Sequence, residues 1–522
     1  MNYLKVGKAT HLEGEDYKLY RKFEMLPGFL SWVTLLGLAF FSYFKPVWVA
    51  FFIVAFAVYW LLLVLYLGLH LVSSYRKVKK NMKINWEDKC RNLSNSLDGL
   101  EENCLAKQGK KWEDIIHLVI LPTYAEDLEI IRPGMDALVK DGYPLDKIIL
   151  VFATEGRTGG EGEQRAEIIK KEYGHYFRNF LITVHPDNIS GELKGKGANQ
   201  AWAAKIVKQE IIDKEGLNYE NILVSVFDAD TVAEPGYFFC LTYKFLTVEN
   251  PYQASYQPVP VYHNNMWEAP FFARVAASSN TFWQMMQQIR QEKLATYSSH
   301  SMTWKALVDI DFWSTSMVSE DSRIFWHCLL HYNGDYRVEP LHFLVSMDAT
   351  MDSGFFQTAK SLYKQQRRWG WGVENVPYLI FNTVKRWKRV KKMKLIGLIW
   401  VQLYGFHSWA TNALIIGVVG WLPVLIGGEK FYSTVLSGNL PYVTRNLMTF
   451  AMMGLVLSAI VSTLLLPKMP KKYGFLKYLT MIIQWVVLPF TIIIFGAIPA
   501  LDAQTRLMLG KYMGFWHTPK KR

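Results

Sequence analysis

Long stretches without a charged side chain constrain this sequence more than any other feature. Uncharged, mostly apolar runs occupy residues 25–44, 46–72, 395–428, 446–467 and 478–501. A helix needs about 20 mostly apolar residues to cross a bilayer, and the run 46–72 is too long for a buried helix of a soluble core. A second run follows the first at once, so the first is not a cleaved signal peptide. The sequence therefore predicts an integral, multi-pass membrane protein.

The distribution of basic residues predicts which side of the membrane holds the polar part of the chain. The turn between the first two runs contains Lys45 as its one charged residue, whereas the segment 76–83 after the second run is rich in Lys and Arg. An excess of Lys and Arg marks the cytoplasmic side of spanning segments. We therefore expect the block that begins at residue 73 to lie in the cytoplasm, at the plasma (inner) membrane.

The final uncharged run, 478–501, leaves its path through the membrane open. Pro489 and Pro499 are expected to break its helix, because a proline removes a backbone hydrogen bond. One full crossing would place the C-terminal tail outside, and a re-entrant hairpin would return it to the cytoplasm.

Composition narrows the classes of function. The chain has 58 basic and 45 acidic residues, a formal net charge of +13. Its basic segments at 76–83, 385–394 and 468–472 all adjoin uncharged runs, so lipid is the expected anionic partner and nucleic acid is not. The four cysteines include no Cys-x-x-Cys pair, which argues against a zinc ribbon or a disulfide framework. Spans almost free of charge argue against a transporter or channel.

The polar block between the spans is predicted to be a soluble α/β domain. Short apolar runs at 117–124, 147–153 and 221–227 have the composition of buried parallel strands. In an open sheet of this kind, ligands bind at the carboxyl ends of the strands. Helices are expected between the strands at about 126–141, 161–174 and 198–214.

Two polar motifs lie near the predicted strand ends. Asp228-Ala-Asp230 directly follows the third strand, and two carboxylates so spaced can hold a hard divalent cation; the alternative is a solvated turn. Lys194-Gly-Lys196-Gly-Ala-Asn199 precedes a helix, where glycines and lysines suit a phosphate group. The alternative for this motif is a basic loop that is capped by glycine and binds no phosphate.

Two further motifs lie downstream. The pair Glu320-Asp321 precedes an apolar helical run, and its carboxylates can serve as a helix cap or as a general base. Gln365-Gln-Arg-Arg368-Trp369 lies just before the membrane. Such a helix can be an interfacial anchor, or it can stack an acceptor on Trp369 and face a phosphate with Arg368.

Taken in order, these motifs resemble those of the membrane-embedded, family 2 inverting glycosyltransferases, the group that contains cellulose synthase, hyaluronan synthase and ceramide glucosyltransferase. The resemblance covers nearly the whole chain and rests on Pro-x-Tyr-x-Glu at 122–126, Asp-x-Asp, the Glu-Asp pair and Gln-x-x-Arg-Trp. It implies an α/β fold with a GT-A type nucleotide-sugar-binding domain inserted between transmembrane helices. The implied reaction is metal-assisted inverting transfer of a sugar to a glycan or lipid acceptor, with processive polysaccharide synthesis as one form of it.

The resemblance implies a donor site and a metal site. Mg²⁺ or Mn²⁺ is expected at Asp228 and Asp230. Glu155 stands where the family commonly has an aspartate that contacts uracil, so the donor is expected to be a UDP-sugar unless this change selects another base. The full set of donor-binding residues implied is Thr123, Tyr124, Glu126, Glu155, Lys196, Asn199 and Asp228.

The resemblance also implies the catalytic groups. Asp321 matches the catalytic base, Glu320 is its partner in the motif, and Arg368 is expected to face the leaving diphosphate. The tail at 515–520, Phe-Trp-His-Thr-Pro-Lys, looks like the gating loop of the synthases, with His517 where a valine is expected. The clamp that holds acceptor or donor is expected to comprise Gln365, Trp369, Thr518 and Lys520.

Two other functions stay open at this point: non-processive glycosylation of a lipid, and a catalytically silent, membrane-tethered nucleotide-sugar-binding module. The oligomeric state is open as well. The expected divisions are an N-terminal tail with two transmembrane helices at 1–72, a cytoplasmic linker at 73–110, a catalytic domain at 111–350, interfacial amphipathic helices at 351–394, and transmembrane segments with the gating-loop-like tail at 395–522.

Overall fold

The polar block is built on one eight-stranded mixed sheet in the computed structural model, which describes residues 3–521. The strands lie side by side in the order β3-β2-β1-β4-β7-β6-β8-β5. They are β1 (Ile116–Pro122), β2 (Ile148–Glu155), β3 (Asn179–His185), β4 (Ile222–Val226), β5 (Val232–Ala233), β6 (Ala254–Val261), β7 (Ser301–Thr303) and β8 (Arg337–Ser346).

The half of the sheet formed by β3, β2, β1 and β4 is parallel throughout. β2 and β4 are buried along their whole length, as expected for strands covered on both faces. The strands predicted at 117–124, 147–153 and 221–227 are confirmed, and β3 is an addition to them. The other half is mixed, because β7 pairs antiparallel with β4 and β6, whereas β6 and β8 run parallel.

Helices cover both faces of the sheet, and the side chains of β1 alternate between two apolar cores. The helices of this block are α3 (Trp86–Arg91), α4 (Leu128–Lys140), α5 (Glu161–Tyr173), α6 (Lys196–Val207), α7 (Tyr237–Thr247), α8 (Phe271–Ile289), α9 (Trp304–Asp309), α10 (Glu320–His331), α11 (Phe355–Gly370) and α12 (Asn375–Lys385). Val119 packs into the core beneath α4, α5 and α7, whereas Ile120 packs into the core beneath α6, α9 and α10.

Within the described residues, four helical runs are long and apolar enough to cross a membrane: Gly14–Phe44, Pro46–Asn81, Val435–Leu465 and Phe475–Met508. A fifth, Lys392–Gly417 with Val419–Ile426, qualifies as a pair bent by 43°. These match the five uncharged runs of the sequence. Their helices are α1 (Gly14–Phe44), α2 (Pro46–Asn81), α13 (Lys392–Gly417), α14 (Leu422–Ile426), α15 (Glu429–Tyr432), α16 (Val435–Ala451), α17 (Met453–Leu465), α18 (Phe475–Ile483), α19 (Leu488–Ile492) and α20 (Ile498–Met508).

The break expected at Pro489 and Pro499 is wrong, because the run Phe475–Met508 is one continuous helical segment. Its hydrogen bonding changes instead, to a 3₁₀ turn at Gln484–Val487 and a π turn at Ile493–Ala497. Each proline lies in the first turn of the α-helical segment that follows, where a missing N–H is tolerated.

The last helix, α20, joins the candidate spans to the polar block. On one side of α20, Ser31 of α1 donates a hydrogen bond to Gln504 at 2.7 Å. On another, Arg367 of α11 forms an ion pair with Asp502 at 2.9 Å. Since α20 is anchored on both sides, the segment that follows it is directed back over the edge of the sheet.

Candidate active site

One lysine connects two aspartates at the carboxyl edge of the parallel strands. Asp228 follows β4, Lys196 is the first residue of α6, and Asp321 lies in the first turn of α10. Lys196 Nζ is 2.6 Å from Asp228 Oδ1 and 2.9 Å from both carboxylate oxygens of Asp321. No side chain caps α10 at its N-terminus, so Asp321 is not the helix cap that the sequence left open.

The pKa shifts of Lys196 and Asp228 favour the charged form of both groups. Burial lowers the pKa of Lys196, but the carboxylates of Asp228 and Asp321 outweigh burial and raise it. Burial raises the pKa of Asp228, but Lys196 and Lys520 outweigh it and hold the value below the usual range. Lys196 and Asp228 therefore stay charged and in contact. A charged ligand can take the place of either one as the partner of the other.

Asp230 lies deeper and is held by the C-terminal tail. It is 1% exposed, and Lys520 Nζ is 2.5 Å from its Oδ1. The amide of Asp348 donates to Oδ2 at 2.9 Å. Burial raises the pKa of Asp230, Lys520 partly offsets that effect, and the carboxylates of Asp348 and Asp228 add to it. Both carboxylates of the motif at 228–230 are thus paired, with Asp230 buried and Asp228 partly buried, so the motif is not a solvated turn.

The carboxylates of Asp228 and Asp230 can supply only part of the coordination shell of a divalent cation. The remaining oxygen of Asp228 accepts a hydrogen bond from Ser298 Oγ at 2.6 Å, so all four oxygens of Asp228 and Asp230 have partners. Across residues 3–521, no three or more His, Cys, Asp and Glu side chains are grouped to hold a metal. Mg²⁺ often takes only one or two carboxylates and completes its shell with phosphate oxygens and water. The pair fits that mode.

Glu320 differs from its neighbour Asp321. It is 2% exposed, and its Oε1 has no hydrogen-bond partner. A Cβ on Gly197 would lie 3.1 Å from the Cβ of Glu320, so this side chain is packed closely behind the start of α6. Burial and the nearby Asp321 raise the pKa of Glu320 to about 8, which favours a neutral carboxyl. Glu320 therefore supports the site from beneath.

A second group of side chains lies at the ends of β1 and β2. The guanidinium of Arg157 is 4.0 Å from the centre of the Tyr124 ring and pairs with Glu155 at 2.5 and 3.1 Å. The amide of Tyr124 donates to Glu126 Oε2 at 2.7 Å. From the tail, His517 reaches the same place, with its ring 5.3 Å from that of Tyr124. Aromatic and charged side chains therefore lie together at this edge of the sheet.

Asn199 was expected to contact the donor, but its side chain is not exposed to a ligand. It is fully buried, and its Nδ2 donates to the carbonyl oxygens of Ala153 at 2.9 Å and Thr123 at 3.4 Å. The amide of Thr123 in turn donates to the Ala153 carbonyl at 2.8 Å. Asn199 therefore joins α6 to the ends of β1 and β2 and holds the backbone at Thr123 in place.

The predicted clamp residues lie on α11 and on the tail. The guanidinium of Arg368 is 5.2 Å from the Phe515 ring, and its buried Nε has no hydrogen-bond partner. Phe515 packs on Gly195, whose φ of +153° and lack of a Cβ permit this approach. Gln365 accepts a hydrogen bond from Thr350 at 2.6 Å, Trp369 packs against the apolar cluster of Tyr262 and Met266, and Thr518 is buried.

Several contributors to the site were not predicted. Ser298 belongs to the polar run 297–300 that directly precedes β7, and that run was the available signal. Asp348 acts through its backbone amide, which no residue pattern reveals. Arg157 follows β2 by two residues, and its stacking on Tyr124 depends on β1 and β2 being neighbours.

No protein-family model matches the sequence, and no curated protein matches it. Solved structures that match the chain include the mannosyltransferase PcManGT from Pyrobaculum calidifontis in complex with GDP-Man and Mn²⁺. The identity is 14%, the match covers 79% of this chain and 98% of that chain, and the TM-score is 0.40. Another is S. aureus TarS 1-349 in complex with UDP-GlcNAc, with 12% identity, 67% and 91% coverage, and a TM-score of 0.35. At these scores the likeness does not assign a function to this chain.

Proposed function

We propose that this protein is a membrane-bound, family 2 type glycosyltransferase that moves a sugar from a nucleotide-sugar donor to a hydroxyl of a glycan or lipid acceptor with inversion. The observation that carries the proposal is the junction of Asp228, Lys196 and Asp321, with Asp230 and Lys520 beside it. It supplies a base, phosphate-binding cations and cation-binding carboxylates at the ligand-binding edge of an α/β sheet.

Asp321 is the base of the proposed reaction. The acceptor oxygen attacks the anomeric carbon of the donor sugar, the bond from that carbon to the diphosphate oxygen breaks, and the hydroxyl proton passes to the Asp321 carboxylate. Both oxygens of Asp321 are bound to Lys196. The diphosphate of an arriving donor competes for Lys196, and Asp321 then becomes free to accept the proton. Lys196 thereby couples donor binding to release of the base.

The leaving diphosphate needs positive charge, and three side chains can supply it. Lys196 and Lys520 already lie at Asp228 and Asp230. No carboxylate of residues 3–521 pairs with Arg368, whose buried Nε is free to donate to a phosphate oxygen. Asp228 and Asp230 would hold Mg²⁺ or Mn²⁺, which when bound stabilises the leaving diphosphate as a Lewis acid.

The nucleoside binds, in this proposal, at the group around Tyr124. Glu155 and Arg157 form a doubly hydrogen-bonded pair that would offer acceptors and donors to a base edge, and Glu126, bound to the amide of Tyr124, would bind the ribose. UDP-sugars are the first donors to test because the motif pattern is closest to theirs. Trp369 and Gln365 contact the acceptor, and the catalytic block lies on the cytoplasmic face of a plasma (inner) membrane, between the spans.

The purified full chain, incubated with a panel of UDP- and GDP-sugars and Mn²⁺, tests this function through the nucleotide released. We expect release from one donor class and its loss in Asp321→Asn. Donor binding without any turnover, unchanged by Asp321→Asn, would instead identify a silent nucleotide-sugar-binding module. Sizing of labelled product separates a polymer from a glycolipid with one or two sugars, and therefore processive from single transfer.

A further inference from the structure

Among residues 3–521, two arginines are buried, and their surroundings differ. Arg323 of α10 donates to Asn375 Oδ1 at 2.7 Å and to the Glu374 carbonyl at 3.3 Å, and it stacks on the Tyr378 ring at 3.7 Å. The Glu374 carboxylate is close enough to interact electrostatically with it. The charge of Arg323 is therefore balanced within the fold.

Arg274 of α8 lacks such compensation. It is 5% exposed and donates to Gln484 Oε1 at 2.6 Å and to the Ala269 carbonyl at 2.9 Å. Within the described part of the chain, no carboxylate lies within ion-pair distance of it. Burial lowers the pKa of Arg274 to about 10. A buried cation with only neutral acceptors is costly unless a further anion binds beside it.

Other donors gather around Tyr473, next to Arg274. Lys472 and Lys477 lie 5.1 and 5.0 Å from the centre of the Tyr473 ring, and the Trp267 ring stacks on it at 6.4 Å. Trp267 is 3% exposed, and its Nε1 donor has no hydrogen-bond partner. Both Tyr473 and Lys477 are within electrostatic range of Arg274.

The balance of charge in this group is strongly positive. Glu268 pairs with Lys472 at 2.9 Å and also accepts from the Tyr473 hydroxyl at 3.2 Å. Among residues 3–521, neither Lys477 nor Arg274 has a carboxylate within ion-pair distance, and Glu268, which already pairs with Lys472, offsets the charge of Lys477 only in part. The group thus combines Arg274, which no carboxylate balances, and the partly balanced Lys477 with a free indole donor. These are donors from which a phosphate group accepts hydrogen bonds.

The group lies between the soluble block and the candidate spans. Tyr473 belongs to the segment 466–474, which connects the helical runs Val435–Leu465 and Phe475–Met508. Trp, Tyr and Lys together at such a junction are typical of the headgroup region of a bilayer. An anion bound here is therefore one that the membrane itself presents.

We propose that Arg274, Lys477 and the indole N–H of Trp267 bind the phosphate group of a membrane lipid. The site is separate from the aspartates at the sheet edge and does not depend on sugar transfer. It rests only on the membrane part of the proposed function, so a lipid-binding measurement can fail or succeed independently of the transferase assay.

Binding of short-chain lipids to the full chain in neutral detergent tests the proposal. Dioctanoyl phosphatidylglycerol, dioctanoyl phosphatidylcholine and inorganic phosphate are titrated separately, and the apparent affinity is taken from the rise in thermal unfolding midpoint. The variants are Arg274→Gln, Lys477→Gln and Trp267→Phe. Lys471→Gln, which changes an exposed lysine of the same segment, is the matched control.

We expect phosphatidylglycerol to bind at least about fivefold more tightly than phosphatidylcholine, and Arg274→Gln or Lys477→Gln to weaken it by about fivefold each. Lys471→Gln should leave it unchanged. Equal affinity for both lipids, or an equal loss in Lys471→Gln, would overturn the proposal. Stabilisation by inorganic phosphate as strong as that by phosphatidylglycerol would overturn the lipid assignment. If Arg274→Gln does not fold, the partly exposed Lys477 and the Trp267→Phe variant decide the outcome.

Discussion

The sheet edge and the membrane-side group around Tyr473 both bury cations, but they differ in what neutralises them. At the sheet edge, Lys196 is shared by Asp228 and Asp321, and Lys520 is paired with Asp230. At the membrane side, Arg274 meets only neutral acceptors. A ligand of the first region must therefore exchange with an internal partner, whereas a ligand of the second supplies the charge that is missing.

Removal of the proposed base, Asp321, is expected to have the largest effect, which is on turnover. Asp321→Asn should keep its shape and lower turnover by about 10²-fold or more, because an amide cannot take the acceptor proton, while donor affinity persists. Released nucleotide and donor binding are measured on the same preparation. Asp335→Asn, at a largely exposed carboxylate, is the control. A parallel loss of donor affinity would assign Asp321 a structural role instead.

Removal of the divalent cation tests whether Asp228 and Asp230 bind one. We expect EDTA to reduce transfer strongly in the natural protein, since the leaving diphosphate loses its Lewis acid. Asp230→Asn should lose most activity and also lose its response to added Mn²⁺. Direct Mn²⁺ binding, followed by electron paramagnetic resonance, should weaken in the same variant. Full activity in excess EDTA would show that the lysines alone neutralise the diphosphate.

Exchange of the shared lysine tests the coupling inferred at the sheet edge. Lys196→Met removes the cation that links Asp228 to Asp321, so we expect the donor KM to rise about tenfold and Lys196→Arg to recover part of it. Lys194→Met is the matched control, because Lys194 lies two residues before α6 and pairs with the partly exposed Asp187. Equal effects of the two methionine variants would mean that only the basic character of the loop matters.

A smaller effect is expected at Asp141, a buried carboxyl that no cation balances within the described residues. Its Oδ2 accepts from the amide of Tyr237 at 2.8 Å, and burial raises its pKa from 3.8 to about 7. Because the folded-state pKa is the higher one, the stabilisation is complete below about pH 4 and is lost as the pH rises through about 7.

Thermal unfolding midpoints measured between pH 5 and 8 test whether stability falls as the pH rises. The unfolding midpoint of the natural protein should fall by a few degrees more than that of Asp141→Asn over that interval, because the amide stays neutral at pH 5 and at pH 8. Asp146→Asn, at an exposed position, should behave as the natural protein does. Identical pH dependence in Asp141→Asn would show that Asp141 is ionised in the fold.

The sequence revealed the elements whose signal is continuous along the chain. The apolar runs of β1, β2 and β4 are unbroken because these strands are covered on both faces, and they were predicted. β3 was not, since most of its residues are only partly buried and its pattern is weak. β7 is three residues long, too short for any periodicity to show.

The sequence by itself determined the candidate spans, the parallel strands β1, β2 and β4, and the list of charged residues that follow them, because each of these depends on neighbours in the chain. Which charges meet was decided only by the tertiary structure. Lys196 and Asp321 are 125 positions apart, and Lys520 and Asp230 are 290 apart. Arg274 meets Gln484 rather than a carboxylate across 210 positions. The physical reason is that ion pairing depends on distances of a few ångströms, and those are set by how the helices and the tail pack over the sheet.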